Sequence, residues 1–219
     1  MYRDLVSQED WNFEREVYRT LRADVTHNVE AIDAVPWTSL QAVDGPASDA
    51  PLLLRGLLST DPRIVEFSAH LVWDYLCHQG SVYQASPFAL PILLGIAVQS
   101  TGSETLECLR LLAQLADGQS MRPELTDEAR QRQGPTDVEL SIRRWFLRNL
   151  SDLGNLLDSP SPAVRCSAAD ILSRFPESAH VILPRLESAY EREQDSNGKA
   201  ELRRAIEVMR SGGETYPTG

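Results

Sequence analysis

Apolar residues recur at intervals of three and four positions through most of the chain, whereas strictly alternating apolar and polar residues are scarce. This spacing places apolar side chains on one face of an α-helix, because a helix completes a turn in about 3.6 residues. The pattern therefore predicts an all-α protein. The predicted helices cover residues 17–32, 52–58, 64–77, 87–99, 106–116, 138–157, 164–175, 182–190 and 202–209.

Signals for helix ends support this division of the chain. Pro36 closes the first predicted helix, and the pairs at 61–62 and 161–162 have the form of an N-cap followed by a proline in the first helical position. Thr136 and Glu139 have the spacing of a capping box, in which each side chain accepts a hydrogen bond from the backbone of the other residue. Helices are therefore expected to begin at 62, 137 and 162.

Two segments lack an apolar period. Residues 117–135 are rich in polar residues, Gly and Pro, and predict a long flexible loop. Residues 212–219 predict a disordered tail. The remaining chain, 1–211, is interpreted as a single helical-repeat domain, in which 1–50 form an N-terminal acidic helical cap.

The chain contains an internal repeat. Residues 57–73 and 156–172 align at positions 99 apart, and each segment is followed in the next helix by a Leu-Pro step, at 90–91 and 183–184. A single two-helix unit cannot bury its apolar faces alone, whereas stacked units share one continuous core. The aligned pairs are Leu57 with Leu156, Leu58 with Leu157, Val65 with Val164, Ser68 with Ser167, Ala69 with Ala168, and Val72 with Ile171.

The second copy, with its DSPSPAVRCSAADIL run, resembles a HEAT repeat. More narrowly, the chain is similar to a group of uncharacterised bacterial HEAT-repeat proteins that share an HQGxxYxAS signature followed by Leu-Pro. That signature occupies His78, Gln79, Gly80, Tyr83, Ala85, Ser86, Leu90 and Pro91. The resemblance implies a HEAT-like α-α solenoid of stacked antiparallel helix pairs, with HEAT-like units at 51–99 and 138–192. It also implies binding to proteins, sometimes to nucleic acid, and rarely catalysis.

Charge changes the picture of the surface. The chain of 219 residues has 42% hydrophobic residues, an ordinary globular composition, and a net charge of −11. Residues 1–50 carry ten acidic and four basic side chains, which favours encounter with a basic partner. Lys199 is the single lysine, so a Schiff-base lysine or a phosphate-loop lysine has only one candidate position.

Nucleic-acid binding requires a basic face that neutralises phosphates. The candidate arginines are Arg130, Arg132, Arg143, Arg144 and Arg148. Carboxylates interleave with them along the sequence, which favours local salt bridges over phosphate contacts. Nucleic acid is therefore an unlikely partner, although some HEAT-like proteins are alkylpurine DNA glycosylases and that class stays open.

One cluster has the spacing of a metal site. His70, Asp74, Cys77 and His78 would share one face of a helix, but no remote third ligand is evident, and polar contacts at the helix end explain them as well. The three cysteines are widely spaced and include no C-x-x-C pair. Since the chain also lacks hydrolase, zinc-protease and phosphate-loop motifs, we expect no enzyme, no cofactor and no metal.

The first ten residues lack the apolar core of a secretory signal, and the longest apolar run, about 88–98, is too short to span a membrane. These features predict a cytoplasmic protein that does not enter a membrane.

Taken together, the sequence predicts a non-catalytic protein-binding helical-repeat module. Its specific form is an immunity-protein-like role, in which the protein sequesters or inhibits a basic partner. A HEAT-like DNA glycosylase or another DNA-binding repair protein, and an assembly scaffold, are the alternatives, and the oligomeric state is open. Extra loop length in the first unit and a turn after Pro36 select the partner-binding candidates: Trp37, His78, Gln79, Tyr83 and Gln84.

Overall fold

The computed structural model describes residues 7–8, 11–120 and 134–212. Most of these residues lie in helices, which confirms the all-α prediction. The α-helices are α1 (Phe13–Thr20), α2 (Thr26–Asp33), α3 (Ala50–Gly56), α4 (Pro62–Leu76), α5 (Ser86–Gln99), α6 (Ser103–Ala116), α7 (Asp137–Asn155), α8 (Pro162–Ser173), α9 (Ala179–Arg192) and α10 (Ser196–Arg210).

Short 3₁₀ turns and two-residue strands join these helices. The turns are Trp37–Ser39, His78–Gly80, Leu156–Asp158 and Pro176–Ser178. The strands are β1 (Ser7–Gln8), β2 (Trp11–Asn12), β3 (Gln41–Ala42), β4 (Gly45–Pro46), β5 (Ser81–Val82) and β6 (Gln119–Ser120). β1 pairs with β2 and β3 with β4, both antiparallel, whereas β5 pairs with β6 in parallel.

The single helix predicted at 17–32 is wrong, because the chain forms α1 and α2 with a break between them. Leu21 adopts an extended conformation with ψ 133° and forms a β-bridge with Ser59. The amide of Thr60 donates to the carbonyl of Thr20 over 2.7 Å, and the amide of Arg22 donates to the carbonyl of Leu58 over 3.1 Å. The backbone at the break therefore hydrogen-bonds to the 58–60 turn instead of continuing a helix.

The predicted helix starts are confirmed, with one difference in capping. The amide of Glu139 donates to the Thr136 hydroxyl over 3.3 Å, and the Glu139 carboxylate accepts from the Thr136 amide, which completes the capping box. Asp61 accepts from the amide of Arg63 over 2.9 Å. Ser161 occupies the N-cap position of α8 but its hydroxyl makes no capping bond, so only its position was predictable.

Helix contacts follow a regular order. Neighbouring helices α3 and α4, α5 and α6, α7 and α8, and α9 and α10 pack on each other. The even-numbered helices from α4 to α10 each contact the next even-numbered helix, and α2, α5, α7 and α9 contact one another in the same way. The buried apolar side chains of all these helices form one continuous core.

The repeated segments occupy equivalent places in this packing. Leu57 and Leu58 are buried in the turn before α4, as Leu156 and Leu157 are in the turn before α8. Both repeat helices, α4 and α8, also pack on α6. Contacts between α4 and α5, and between α8 and α9, are marginal. Each repeat thus spans a turn and the second helix of a packed pair, not the first helix.

Apolar residues at helical spacing in 106–116 predict one buried face of α6, formed by Leu106, Leu109, Ala113 and Ala116. Of these, Leu109 is buried, whereas Leu106 is 37% exposed and the two alanines are only partly buried. α4, α5, α7 and α8 all contact α6. Because these contacts come from several directions, the buried set is broader than one stripe: Cys108, Leu109, Leu111, Leu112 and Leu115.

The flexible loop predicted at 117–135 begins with residues 117–120, which end α6 and form β6. Its residues 121–133, like residues 213–219 of the predicted tail, lie outside the described part of the chain. Among the described helices, none combines the length and the apolar character that a bilayer crossing requires.

Candidate functional site

The segment that joins α4 to α5, residues 77–85, carries most of the predicted partner-binding residues. We call it the α4–α5 connection. It begins with a tight turn in which Gln79 (φ 50°, ψ 38°) and Gly80 (φ 79°) both adopt left-handed backbone conformations. Gln79 is the one non-glycine residue with positive φ among the described residues. Glycine adopts this conformation at little cost, which explains why the turn contains Gly80.

Ser86 ties the two ends of this connection together. Its hydroxyl donates to the carbonyl oxygen of Leu76 over 2.6 Å and accepts from the amide of Tyr83 over 2.8 Å. Ser86 does not cap α5, although serine is a common N-cap residue, because Ala85 occupies the N-cap position and Ser86 is the first helical residue. The hydroxyl instead satisfies a backbone acceptor near the end of α4 and a backbone donor of the connection.

The β3–β4 hairpin packs against the connection. The amide of Ala85 donates to the carbonyl of Gln41 over 3.0 Å, and the amide of Gln41 donates to the Gln84 side-chain oxygen over 3.3 Å. The Tyr75 hydroxyl donates to the carbonyl of Pro46 over 2.9 Å. Sequence reasoning missed this hairpin, although Asp44-Gly45 followed by proline is a turn signal.

Tyr83, one of the predicted partner-binding residues, is partly covered at this junction. Its side chain is half-buried and its hydroxyl is shielded from solvent. Burial raises the pKa of Tyr83, and the Asp44 and Asp74 carboxylates raise it further because their negative charges disfavour the phenolate. Asp44 of the hairpin and Asp74 of α4 are therefore the carboxylates whose charges act on the Tyr83 phenol.

His78 lies just after the end of α4, as predicted. Its Nδ1 contacts the Asp74 carboxylate, and the Trp73 ring lies near both His70 and His78, with centroid distances of 6.0 Å and 6.3 Å. Cys77 points inward: it is buried, its thiol contacts the carbonyl of Gln114 over 3.5 Å, and burial raises its pKa to about 11.

A protonated thiol of this kind is a poor metal ligand. Among the residues that the structure describes, no group of three or more His, Cys, Asp or Glu side chains has a metal-binding arrangement.

Trp37 departs from its predicted environment. Its side chain is only 3% exposed, and its indole N–H donates to the carbonyl oxygen of Ile32 over 2.7 Å. Trp37 is a partner-binding candidate because it follows Pro36 in a turn, but it is buried in the core at the start of the 3₁₀ turn at 37–39. The structure thus brings His78, Gln79, Tyr83 and Gln84 together in one connection and places Trp37 away from the surface.

Ion pairs hold most described arginines, and half of the described arginines pair with a carboxylate that is distant in sequence. Arg174 pairs with Asp117 and Asp170, and Arg204 pairs with Asp170 and Glu201, so one chain of charges links the end of α6 to α8 and α10. Sequence spacing contained no signal for the pairs between different helices.

Arg165 and Glu193 form the most buried of these pairs. Two Arg165 nitrogens donate to the Glu193 carboxylate at 2.7 Å, and the amides of Gln194 and Asp195 donate to it as well. The Arg165 guanidinium and these backbone amides lower the pKa of Glu193 to about 2. The pair connects α8 to the turn between α9 and α10.

The arginines that we considered for nucleic-acid binding differ in their environments. Arg143 pairs with Glu177 over 2.6 Å and lies 5.3 Å from the centre of the Phe175 ring, so its partner is a distant carboxylate and not one of those interleaved with the arginines in sequence. Arg144 and Arg148 are exposed and make no ion pair or hydrogen bond within the described chain. Arg130 and Arg132 lie outside the described residues.

Comparison with known proteins gives little guidance. No family model matches the chain, and no curated protein matches it. A crystal structure of an engineered protein aligns with 92% of this chain and 97% of its own, at 22% identity and a TM-score of 0.34, which is too distant to assign a fold.

Proposed function

We propose that this protein is a non-catalytic protein-binding module of the bacterial cytoplasm that binds and sequesters a basic protein partner, in the manner of an immunity protein. The proposed scaffold is a HEAT-like solenoid of antiparallel helix pairs. The order of helix contacts supports it, since α4, α6, α8 and α10 form one row, α2, α5, α7 and α9 form a second, and neighbouring helices pair across the two rows.

The observation that carries the choice of partner is the distribution of unpaired charge. Most described arginines are held in ion pairs with the protein's own carboxylates. In the N-terminal third, Glu14, Glu30, Asp44 and Glu66 are exposed and make no ion pair within the described residues, whereas every described arginine of this third is paired. The charge that this end presents to a partner is therefore negative, which accelerates encounter with a basic surface and disfavours a nucleic-acid backbone.

The α4–α5 connection adds a shaped surface next to the β3–β4 hairpin, whose turn carries Asp44. It offers the His78 imidazole, the Gln79 amide and the edge of Tyr83 beside Asp44 and Asp74. These groups donate and accept hydrogen bonds in fixed positions, because the Ser86 and Gln41 bonds hold the connection.

The experiment is affinity capture with charge variants. The wild-type chain is immobilised, exposed to lysate of its source cells and washed at increasing salt. A triple variant, Glu14→Gln, Glu30→Gln and Asp44→Asn, is compared with a matched control, Asp152→Asn, Glu191→Gln and Glu207→Gln, which removes equal charge from exposed sites of the C-terminal half.

We expect one basic protein to be retained by the wild type and the control, to be released by salt, and to be lost from the N-terminal variant. Retention of a neutral or acidic partner equally by all three proteins would favour an assembly scaffold and contradict the proposal. Binding of a DNA duplex at low salt would instead favour the glycosylase alternative.

A further inference from the structure

Two imidazole rings flank the indole ring of Trp73 in the C-terminal half of α4 and just after it. The ring centroid of His70 lies 6.0 Å from that of Trp73, with 33° between the ring planes, and the centroid of His78 lies 6.3 Å from it, with 44° between the planes. His70 is exposed, and the other two side chains are half-buried. We call these three residues the α4 aromatic cluster. A partner that approaches this part of the surface therefore meets aromatic rings.

The unpaired charges near the cluster are carboxylates. Ion pairs hold every arginine of α4 and of the two helices that pack on it, α3 and α6: Arg55 with Asp33, Arg63 with Asp61, and Arg110 with Glu107. By contrast, Glu66 of α4, one turn before His70, is exposed and makes no ion pair within the described residues. The Val43 amide donates to the Tyr75 carbonyl over 3.3 Å, which brings the hairpin that carries Asp44 to the end of α4. This charge is complementary to a cation.

The chain covers two of its other aromatic rings with its own cations. Arg143 lies 5.3 Å from the centre of the Phe175 ring, and Lys199 lies 5.6 Å from that of the Tyr190 ring. Among the described residues, no lysine or arginine lies over the Trp73 ring in this way. Tryptophan attracts cations more strongly than tyrosine or phenylalanine does. Of these three rings, the one best suited to a cation therefore receives none from the described chain.

The contact between His78 and Asp74 adds an acceptor and a charge to the cluster. His78 Nδ1 contacts the Asp74 carboxylate, so the imidazole in its neutral form donates from Nδ1 and keeps a lone pair at Nε2. The carboxylate supplies a negative charge beside the rings. A guanidinium uses these three features together, since it stacks its plane on a π face, donates its N–H groups to acceptors and pairs with an opposite charge. A lysine ammonium carries the same charge but has no plane to stack.

We propose that the α4 aromatic cluster receives an arginine side chain of the basic partner, stacked on Trp73 and flanked by His70 and His78. This inference rests on the proposed function, because it names the side chain by which the basic partner is recognised. Tryptophan and arginine are among the residues that most often dominate the binding energy of protein interfaces. The cluster thus provides specificity for arginine, whereas the exposed carboxylates provide attraction to any basic surface.

The test uses the full chain and a short fluorescein-labelled peptide in which arginine alternates with glycine. A second peptide has lysine at the arginine positions, and a third has citrulline, whose urea group matches the guanidinium in shape but carries no charge. Binding is followed by fluorescence anisotropy at neutral pH and low salt. We expect the arginine peptide to bind about tenfold more tightly than the lysine peptide, and the citrulline peptide to bind more weakly than either.

The variants separate the rings from the general charge. Trp73→Leu removes the π face, and His70→Ala removes a flanking ring at an exposed position, so the second variant serves if the first does not fold. The matched controls are Tyr18→Leu and His27→Ala, which remove an exposed aromatic ring and an exposed imidazole elsewhere in the N-terminal third. Circular dichroism confirms that each variant is folded. We expect Trp73→Leu to abolish the preference for arginine over lysine, His70→Ala to reduce it, and the controls to keep it.

Equal affinity of the wild type for the arginine and lysine peptides, or binding of neither, would overturn the inference. An arginine preference that persists in the folded cluster variants, or that the controls lose equally, would do the same. The proposed function fails on a different result, which is capture of no basic protein from the lysate. If the lysate yields a basic partner that the folded cluster variants retain as well as the wild type does, the partner is sequestered without an arginine at this cluster, and the inference alone is overturned.

Discussion

The Ser86 hydroxyl and the Leu76 carbonyl oxygen are joined by a buried hydrogen bond of 2.6 Å that fastens the start of α5 to the end of α4. The same hydroxyl accepts from the Tyr83 amide, so one small side chain satisfies two backbone groups of the connection. The serine of the HQGxxYxAS signature thus has a structural role, which accounts for the spacing between Tyr83 and Ser86.

Replacement of this serine tests that role. Ser86→Ala removes both hydrogen bonds and leaves a buried acceptor and donor without a partner, so we expect a loss of about 1–3 kcal/mol in the free energy of unfolding. Urea denaturation followed by circular dichroism measures it. The control is Ser39→Ala, whose hydroxyl makes an exposed bond and whose loss should cost less than about 0.5 kcal/mol. Equal effects of the two substitutions would contradict the role.

Because Gln79 and Gly80 both adopt left-handed backbone conformations, we expect substitutions at these two positions to change stability in different directions. A Cβ at Gly80 meets nothing within 4 Å, so Gly80→Ala tests backbone conformation alone, and we expect a loss of about 1–2 kcal/mol. Gln79→Gly relieves the same strain and should stabilise the protein or leave it unchanged, by less than about 1 kcal/mol. Thermal denaturation of both variants measures the effects. Destabilisation by Gln79→Gly as large as that by Gly80→Ala would exclude this explanation.

The pair of Arg165 and Glu193 predicts a dependence of stability on pH. The folded pKa of Glu193, about 2, is below its ordinary value of 4.5, so its contribution is present above pH 4.5 and is lost as the pH falls towards 2. Glu193→Gln should therefore lower the free energy of unfolding by about 1–3 kcal/mol at neutral pH. The difference from wild type should shrink as the pH falls through this window.

Urea titrations at several pH values provide the measurement. Glu191→Gln, at an exposed position on α9, is the control, and its difference from wild type should stay below about 0.5 kcal/mol at neutral pH. A Glu193→Gln difference that is constant from neutral pH to pH 2 would show that the carboxylate charge contributes nothing.

α3 and α4 approach each other closely at Gly56 and Ser68, so we expect substitutions at these two positions to have coupled effects on stability. A Cβ at Gly56 would lie 1.9 Å from the Ser68 hydroxyl oxygen and 2.8 Å from its Cβ, so Gly56→Ala should destabilise the protein by about 1–3 kcal/mol through overpacking. Ser68→Gly removes both clashing atoms. In a double-mutant cycle by urea denaturation, we expect the double variant to be less destabilised than the sum of the single variants. Additive losses would indicate that the two positions do not meet.

The positions of most helices could be predicted from apolar spacing, because each helix buries a stripe or more of its surface. The break after Thr20 could not, since it depends on hydrogen bonds to residues 58–60 that are distant in sequence. The burial of Trp37 was missed for a similar reason, because its indole acceptor is the Ile32 carbonyl at the end of the preceding helix. Local propensity does not encode such partners.

The candidate site, too, could be predicted only in part from the sequence. The signature located the α4–α5 connection correctly, and the left-handed residues agree with its Gln-Gly pair. Asp44 and Gln41 belong to the candidate site only because the β3–β4 hairpin packs on the connection, and sequence spacing cannot specify that packing. The ion pairs that neutralise Arg165 and Arg174 join residues up to 57 positions apart, so the charge that the surface presents is a property of the folded chain.

α6 belongs to neither repeated segment, yet both repeat helices, α4 and α8, pack on it. The two repeated segments are therefore connected by packing against α6, a helix that lies outside both of them. If either half unfolds, apolar side chains of α6 lose part of their packing and become exposed. The unfolding of the N-terminal half is therefore coupled to that of the C-terminal half. The chain should unfold in one cooperative transition, and coincident melting curves from tryptophan fluorescence and circular dichroism would record it.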